Sequence, residues 1–403
     1  MRHDTHEVTG SNPVSPSLVS GGDLARGRRV GVGLVGCGAI SGIYLKNLYR
    51  FSNLRLVAVA DLDGERGRGR AEEAGVLAAA AGVAPAVALS VDELLGHPEI
   101  ELVLNLTIPK AHVAVARAAV EAGKHTYSEK PLAIEAAEAE GLLELARERG
   151  LRVGCAPDTF LGAGIQTARK LIDEGVIGEP VAATAFMLCP GHESWHPDPE
   201  FYYEVGGGPM FDMGPYYLTA LVALLGPVSR VAGFARATHG TRTITSEKKR
   251  GKVIAVETPT HFATSLEFAS GALGTVVMSF DCFAGNLPRI EIYGTGGTLS
   301  APDPNTFGGK GEVRVKVGRG EWEVVPLSHP YREEWRGLGV AEMGAAIRSG
   351  RAHRASGELA AHVVDIMSGA IRTAALGQAV SVPDRGLARP EAMPVDAVEG
   401  VWG

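Results

Sequence analysis

Val30-Gly31-Val32-Gly33-Leu34-Val35-Gly36-Cys37-Gly38-Ala39-Ile40-Ser41 decides the fold of this chain. Arg29 to Val35 is a short apolar run bounded by glycine, the pattern of a strand buried on both faces of a parallel sheet. Gly36 permits a tight turn. Gly38 lets the backbone approach a pyrophosphate, which would lie on the N-terminus of the helix that Ile40 to Arg50 predicts. Ser41 stands where a third glycine is usual and is small enough for helix–strand packing. Gly36, Gly38, Ala39 and Ile40 are therefore candidate cofactor contacts. A second buried strand, Leu54 to Ala60, ends at Asp61, whose carboxylate can bond both ribose hydroxyls of NAD and would repel a 2′-phosphate. Leu62 and Asp63 bring no positive charge, so NAD is expected in preference to NADP, although an aspartate here could instead cap a turn.

Outward from that motif, strand and helix alternate. Helices are predicted over 64–81, 91–95, 111–122 and 134–149, and strands over 102–106, 124–127 and 152–155. After Ala156 the rhythm changes. Helices at 164–174 and 216–225 are followed by alternating stretches, among them 260–268, 274–280, 289–293 and 313–317, which read as an antiparallel series. The polar, basic segment 238–253 reads as an exposed loop or hairpin, and 340–349 and 358–376 as helices. The expected fold is α/β: an N-terminal Rossmann domain, a doubly wound parallel sheet, over 29–155, then a C-terminal α/β domain with a large open, mostly antiparallel sheet over 156–403. That second domain would bind substrate and form oligomers, because an open sheet exposes a broad face that monomers usually cover. Residues 1–28, rich in Ser, Gly, Pro and His, read as a flexible tail.

Of 403 residues, 45% are hydrophobic and 21% charged, ordinary values for a globular chain with a large core. The formal net charge is −7, and the densest basic run is Lys248-Lys249-Arg250, too short to track a phosphate backbone. Nucleic acid is not an expected partner. No apolar run was expected to span a membrane, since Val30 to Ile43 is broken by glycines. Arg28-Arg29 reads as a basic pair beside a strand rather than an export signal, and the four scattered cysteines suit a reducing cytoplasm.

Thr107-Ile108-Pro109-Lys110-Ala111-His112 and Ser128-Glu129-Lys130-Pro131 carry a resemblance over nearly the whole chain after Arg29. They resemble the family named after glucose-fructose oxidoreductase, inositol dehydrogenase and a rhizopine-catabolism protein. The resemblance implies that Thr107, Pro109 and His112 lie at the cofactor, Glu129 near the nicotinamide ribose, and Lys130 in catalysis. It also implies a homodimer or homotetramer.

Gly206-Gly207-Gly208-Pro209-Met210-Phe211-Asp212-Met213-Gly214-Pro215-Tyr216-Tyr217 looks like the family's second signature, Asp-x-Gly-x-His-x-x-Asp. Asp212 and Gly214 are kept, Tyr216 replaces the histidine of inositol dehydrogenases, and Thr219 replaces the last aspartate. Asp212 and Tyr216, four apart, would share a helix face. Oxidising a secondary alcohol needs a base within reach of its proton while hydride leaves for nicotinamide. Lys130 as ammonium, together with the nicotinamide's positive charge, would favour the phenolate and lower the pKa of Tyr216 from about 10. Either Tyr216 or Lys130 could take the proton, with Asp212 orienting the lysine or holding the hydroxyl. Tyr216 and especially Tyr217 could also simply pack a helix face.

Asp158 could bind substrate or cap a helix, and His353 is an outlying candidate. The aromatic loop from Gly191 to Tyr203 suits a sugar face. It offers His196, while a His192–His196 metal pair is disfavoured by the flanking prolines. The expected activity is NAD(P)-dependent oxidation of a secondary hydroxyl of a small carbohydrate, glycoside or cyclic polyol. Two other readings stand beside it: redox-neutral glycoside cleavage with tightly held NAD, and a non-catalytic nucleotide sensor.

Overall fold

A computed structural model describes residues 29–402; the tail expected over residues 1–28 lies outside the described residues. The first sheet contains β1 (Val30–Val35), β2 (Leu54–Ala60), β3 (Val87–Ala88), β4 (Leu102–Asn105), β5 (His125–Ser128) and β6 (Val153–Cys155). Their order is β3-β2-β1-β4-β5-β6 and every pairing is parallel, the doubly wound arrangement of a Rossmann domain. The chain reverses direction of winding between β1 and β4, which opens a crevice at their carboxyl ends.

The connecting helices are α1 (Ser41–Leu48), α2 (Gly64–Ala81), α3 (Val91–Gly96), α4 (Pro109–Glu121) and α5 (Ala136–Glu148). Their ends follow local chemistry. Asp63 accepts from the amides of Glu65 and Arg66 to start α2, which stops at Gly82 with φ 65°. Ser90 and Glu93 form a reciprocal capping box on α3, and Pro109 occupies the first turn of α4, where its missing N–H costs nothing.

The second domain adds α6 (Ala163–Asp173), β7 (Pro180–Leu188), α7 (Gly208–Asp212), α8 (Gly214–Leu225), β8 (Val228–Arg236), β9 (Thr241–Thr243) and β10 (Val253–Ala255). It continues with β11 (His261–Phe268), β12 (Leu273–Ser279), β13 (Ile290–Gly294), β14 (Gly297–Ala301), β15 (Val313–Val317) and β16 (Glu323–Val325). The last elements are α9 (Leu338–Ser349), α10 (Gly357–Leu376) and β17 (Val380–Ser381). Nine strands form one sheet in the order β16-β15-β14-β13-β7-β12-β11-β8-β17; only β7 and β12 run parallel. The central strand, β7, carries no clear strand signal in the sequence. Its Pro-Val-Ala-Ala-Thr-Ala-Phe-Met-Leu run is apolar on both faces and gives almost no alternation to detect.

Helices cover only one face of this sheet. On the other face Phe234 is 80% exposed and Leu273 60%. Phe234, Ala263, Val277 and Phe186 line up in register across four strands there.

α10 corrects the expectation that no apolar run is long enough for a membrane. It is 20 residues long and apolar enough by length and composition, and the structure instead packs it against β8, α5 and α8. Twelve of its residues are buried, among them Leu359, Val363, Ile366 and Met367. Each such apolar side chain contributes roughly 1.5–3 kcal/mol relative to exposure. The segment between α9 and α10 also returns to the first sheet, where Cys155 N donates to Ala355 O at 3.1 Å.

Candidate active site

A cleft of about 910 Å³ runs between the two domains, from the glycine-rich turn after β1 to the helix pair α7–α8. At its first end Gly36 has φ +98°, and a Cβ there would lie 2.6 Å from the carbonyl carbon of Leu106. Only glycine fits. Gly38 has no neighbour within 4 Å of its Cβ position, so the turn presents bare backbone to the cleft. Gly38, Ala39, Ile40, Thr107, Pro109, His112, Glu129 and Lys130 all lie on the cleft surface. This is the cradle an extended dinucleotide needs.

Asp61 closes the turn from outside: Oδ2 accepts from Cys37 N at 2.7 Å and Oδ1 from Asp63 N at 2.9 Å. Leu62 and Asp63 bring no positive charge to it, but residues further along the chain do. Arg66, one turn into α2, brings Nη1 to 3.5 Å from Asp61 Oδ1, and Arg70 Nη2 donates to Gly38 O at 3.3 Å.

His112 acts as a brace. Its ring nitrogens lie 2.7 Å from Pro131 O and 3.0 Å from Thr107 O, tying the loop after β4 to the loop after β5. Burial lowers its pKa although both carbonyls favour the charged ring. Glu129 is equally fixed, accepting from Tyr44 Oη at 2.6 Å and from Lys130 N at 3.0 Å.

The catalytic candidates meet at the far end. Lys130 Nζ lies 2.9 Å from Asp212 Oδ1 and 5.2 Å from the centre of the Tyr216 ring. Asp212 and Tyr216 do not share one helix, as their spacing had suggested. Met213 breaks the chain between α7 and α8, and Pro215, which has no N–H, sits in the first turn of α8. Burial works against the charges of the Lys130–Asp212 pair, but their attraction wins. Lys130 is held well above its ordinary pKa, and Asp212, helped by His192, is held at about 2. Burial pushes Tyr216 up, outweighing the opposing pull of Lys130 and Arg336. The expected lowering by Lys130 is present, but without the nicotinamide charge it is outweighed by desolvation.

Three other candidates stand away from the cleft. Asp158 is 1% exposed and stands outside the cleft, with Oδ2 accepting from Gly337 N at 2.8 Å and Gly339 N at 3.0 Å at the start of α9. His196 packs edge-on against Trp195 and Tyr202 while its Nδ1 accepts from Asp198 N; the cleft receives His192 instead. His192 Nε2 is 3.2 Å from Asp212 Oδ2, so the carboxylate is shared by a lysine and a histidine from different elements. His353 is also remote, with Nε2 on Val153 O. Among the described residues no group of three or more His, Cys, Asp or Glu side chains is placed to hold a metal ion.

The β9–β10 hairpin, expected as an exposed segment, straps the His192 loop in place. Arg242 bridges Glu193 and Asp281, all three largely buried, and the amides of Thr245 and Ser246 both donate to Glu193 O at 2.9 Å. Tyr202, from the aromatic loop, also lines the cleft wall, as do Arg289, Asn305 and Arg336, which carry no sequence signal because they come from three separate segments with no local spacing to link them.

Comparison with known proteins agrees with this geometry. The profile of the oxidoreductase family with an NAD-binding Rossmann fold matches residues 30–156, and that of the GFO/IDH/MocA C-terminal domain matches residues 165–300. The chain is 26% identical over 357 residues to 1,5-anhydro-D-fructose reductase of Ensifer adhaerens, covering 87% of this chain and 98% of that protein. It is 26% identical over 271 residues to myo-inositol 2-dehydrogenase of Thermotoga maritima, covering 67% and 74%. Levoglucosan dehydrogenase, solved in complex with NADH and L-sorbose, shares the fold with a TM-score of 0.72 at 21% identity, over 88% of this chain and 99% of that one. With both domains matched in order, the chain belongs to the GFO/IDH/MocA family of NAD-binding oxidoreductases.

Proposed function

We propose that the protein oxidises a secondary hydroxyl of a sugar, glycoside or cyclic polyol to a ketone, or runs the reverse reduction, using NAD in preference to NADP. One observation carries this reading: Lys130, Asp212 and Tyr216 converge on a cleft whose other end is the glycine-rich turn. When bound, nicotinamide supplies a hydride acceptor at its C4. Asp212 keeps Lys130 an ammonium, which polarises the substrate oxygen and stabilises the alkoxide. Tyr216 exchanges the hydroxyl proton, as phenol in reduction and as phenolate in oxidation. Glu129, fixed at both oxygens, would lie near the nicotinamide ribose. The named activities of the 1,5-anhydro-D-fructose and myo-inositol enzymes support a sugar or cyclic polyol as substrate.

The proposed domain division is 29–155 for the cofactor and 156–403 for substrate and self-association. The open sheet face is the surface for a homodimer or homotetramer, and the four free cysteines fit the cytoplasm.

The test is an absorbance screen with NAD and NADP against sugars, anhydrosugars, glycosides and inositols, repeated on Lys130→Ala. NADH formed by the wild type and not by the variant supports the reading. Failure to form or consume NADH with every alcohol and ketone tried would overturn it.

A further inference from the structure

Beyond Tyr216 the cleft continues into a pocket that hydride transfer does not use, walled by Tyr217, Arg289, Asp303, Asn305 and Arg336. Tyr217 is 0% exposed, yet its O–H finds no acceptor within the protein, the group beside it, Arg289, being itself a donor. A buried hydroxyl that lacks an acceptor and lies on a cleft wall can be satisfied by a bound ligand. The Arg289 guanidinium stands beside that hydroxyl, near enough for its charge to act on the phenol.

Arg289 is itself loosely paired, its Nε standing 3.6 Å from Asp303 Oδ2 and its side chain 48% exposed. Arg336, from the segment entering α9, donates to Asn305 Oδ1 at 2.8 Å and to Glu334, and its charge reaches Tyr216. A loosely held guanidinium and a phenol without an acceptor therefore share one wall carboxylate, Asp303, and Arg336, bonded to Asn305 and Glu334, adds a second positive charge. The pocket is rich in donors and short of acceptors. A neutral hydroxyl would satisfy it poorly, whereas a carboxylate can take two parallel N–H bonds from a guanidinium and a third from the phenol.

We propose that this pocket is a carboxylate subsite and that the substrate is a polyhydroxylated acid, a sugar or cyclic polyol bearing a carboxylate. The inference rests on the hydride-transfer reading of the same cleft. Tyr216 and Tyr217 are consecutive on α8 and project about 100° apart. One adjoins Lys130 and the other Arg289, so the reacting hydroxyl and the carboxylate are held on adjoining walls. The alcohol carbon is oxidised, its hydride passes to nicotinamide and its proton leaves through Tyr216, while the carboxylate is unchanged.

The experiment compares acid and neutral partners with NAD: glucuronate against glucose, and gluconate against glucitol. The acid is expected to show a kcat/KM higher by about 10-fold or more, carried by KM. Tyr217→Phe and Arg289→Gln should each raise KM for the acid about 10- to 100-fold, bringing the acid-to-neutral ratio toward one. Tyr217→Phe removes a hydroxyl that donates to no group of the protein, so it should melt close to wild type, and a loss of acid affinity then has no structural explanation.

Preference for the neutral partner, unchanged in Arg289→Gln, overturns the subsite and leaves the hydride-transfer reading standing. If no pair yields NADH, calorimetry of sodium gluconate against the protein–NADH complex tests the subsite alone. Binding lost in Arg289→Gln supports it, and no binding at millimolar gluconate overturns it.

Discussion

Lys130 Nζ donates to the Asp212 carboxylate at 2.9 Å and to the carbonyl oxygen of the same residue at 2.7 Å. One lysine thereby ties the end of the parallel sheet to the helix break of the second domain. In Lys130→Ala, kcat is expected to fall by about 10²- to 10⁴-fold, the scale of a lost acid–base or oxyanion partner. NADH affinity, read by fluorescence titration, should change only a few-fold. An equal loss of NADH binding would make Lys130 an architectural residue instead.

The Tyr216 phenol, raised by burial, keeps its proton through neutral pH. The oxidation rate should therefore climb with pH on the alkaline side, while reduction is favoured near neutrality. Tyr216→Phe should flatten that limb and slow both directions. A limb that survived in the variant would assign the proton to Lys130.

Asp212 makes stability depend on acid. Burial opposes its charge, but Lys130 and His192 together bring its pKa from 3.8 to about 2. A depressed carboxyl contributes stability above its unfolded pKa and loses it as pH falls through the folded one. The window thus runs from about pH 4 to about pH 2 and is worth about 2 kcal/mol. Urea unfolding from pH 6 to 2 should show wild type losing that much more than Asp212→Asn. Parallel curves would mean that the carboxylate is not charged in the folded state.

Asp61 and Arg66 set up a cofactor switch in one short segment. Asp61→Ser removes the group that repels a 2′-phosphate and leaves Arg66 and Arg70 beside the turn. The kcat/KM for NADP should rise about 10-fold or more relative to NAD. An unaltered ratio would show that Asp61 serves only to hold the turn through Cys37 N.

The uncovered sheet face predicts self-association. Light scattering behind a sizing column should report a dimer or tetramer. Phe234→Glu, placing a charge in the row shared with Ala263, Val277 and Phe186, should shift it toward monomer. A monomeric wild type would rule the interface out.

Much of the architecture was legible in residue order. The Gly36 turn, the buried strand ending at Asp61 and the alternation to Cys155 prescribe a parallel sheet, because buried parallel strands and amphipathic helices leave periodicities that do not depend on distant contacts. The family motifs likewise pointed to Lys130, Asp212 and Tyr216. β7 was not legible, since a strand apolar on both faces shows no alternation.

The cleft itself belongs to the tertiary structure. His192 rather than His196 reaches Asp212 because the Arg242 ion pairs set the loop's orientation. Asp158 leaves the cleft because the backbone N–H groups at the start of α9 claim its carboxylate. Arg289 and Arg336 arrive from separate segments, and the direction of the Tyr216 shift depends on how far burial outweighs the charges around it. Periodicity is a local property that sequence determines. Convergence of side chains and the loss of water around them exist only once the two domains have packed.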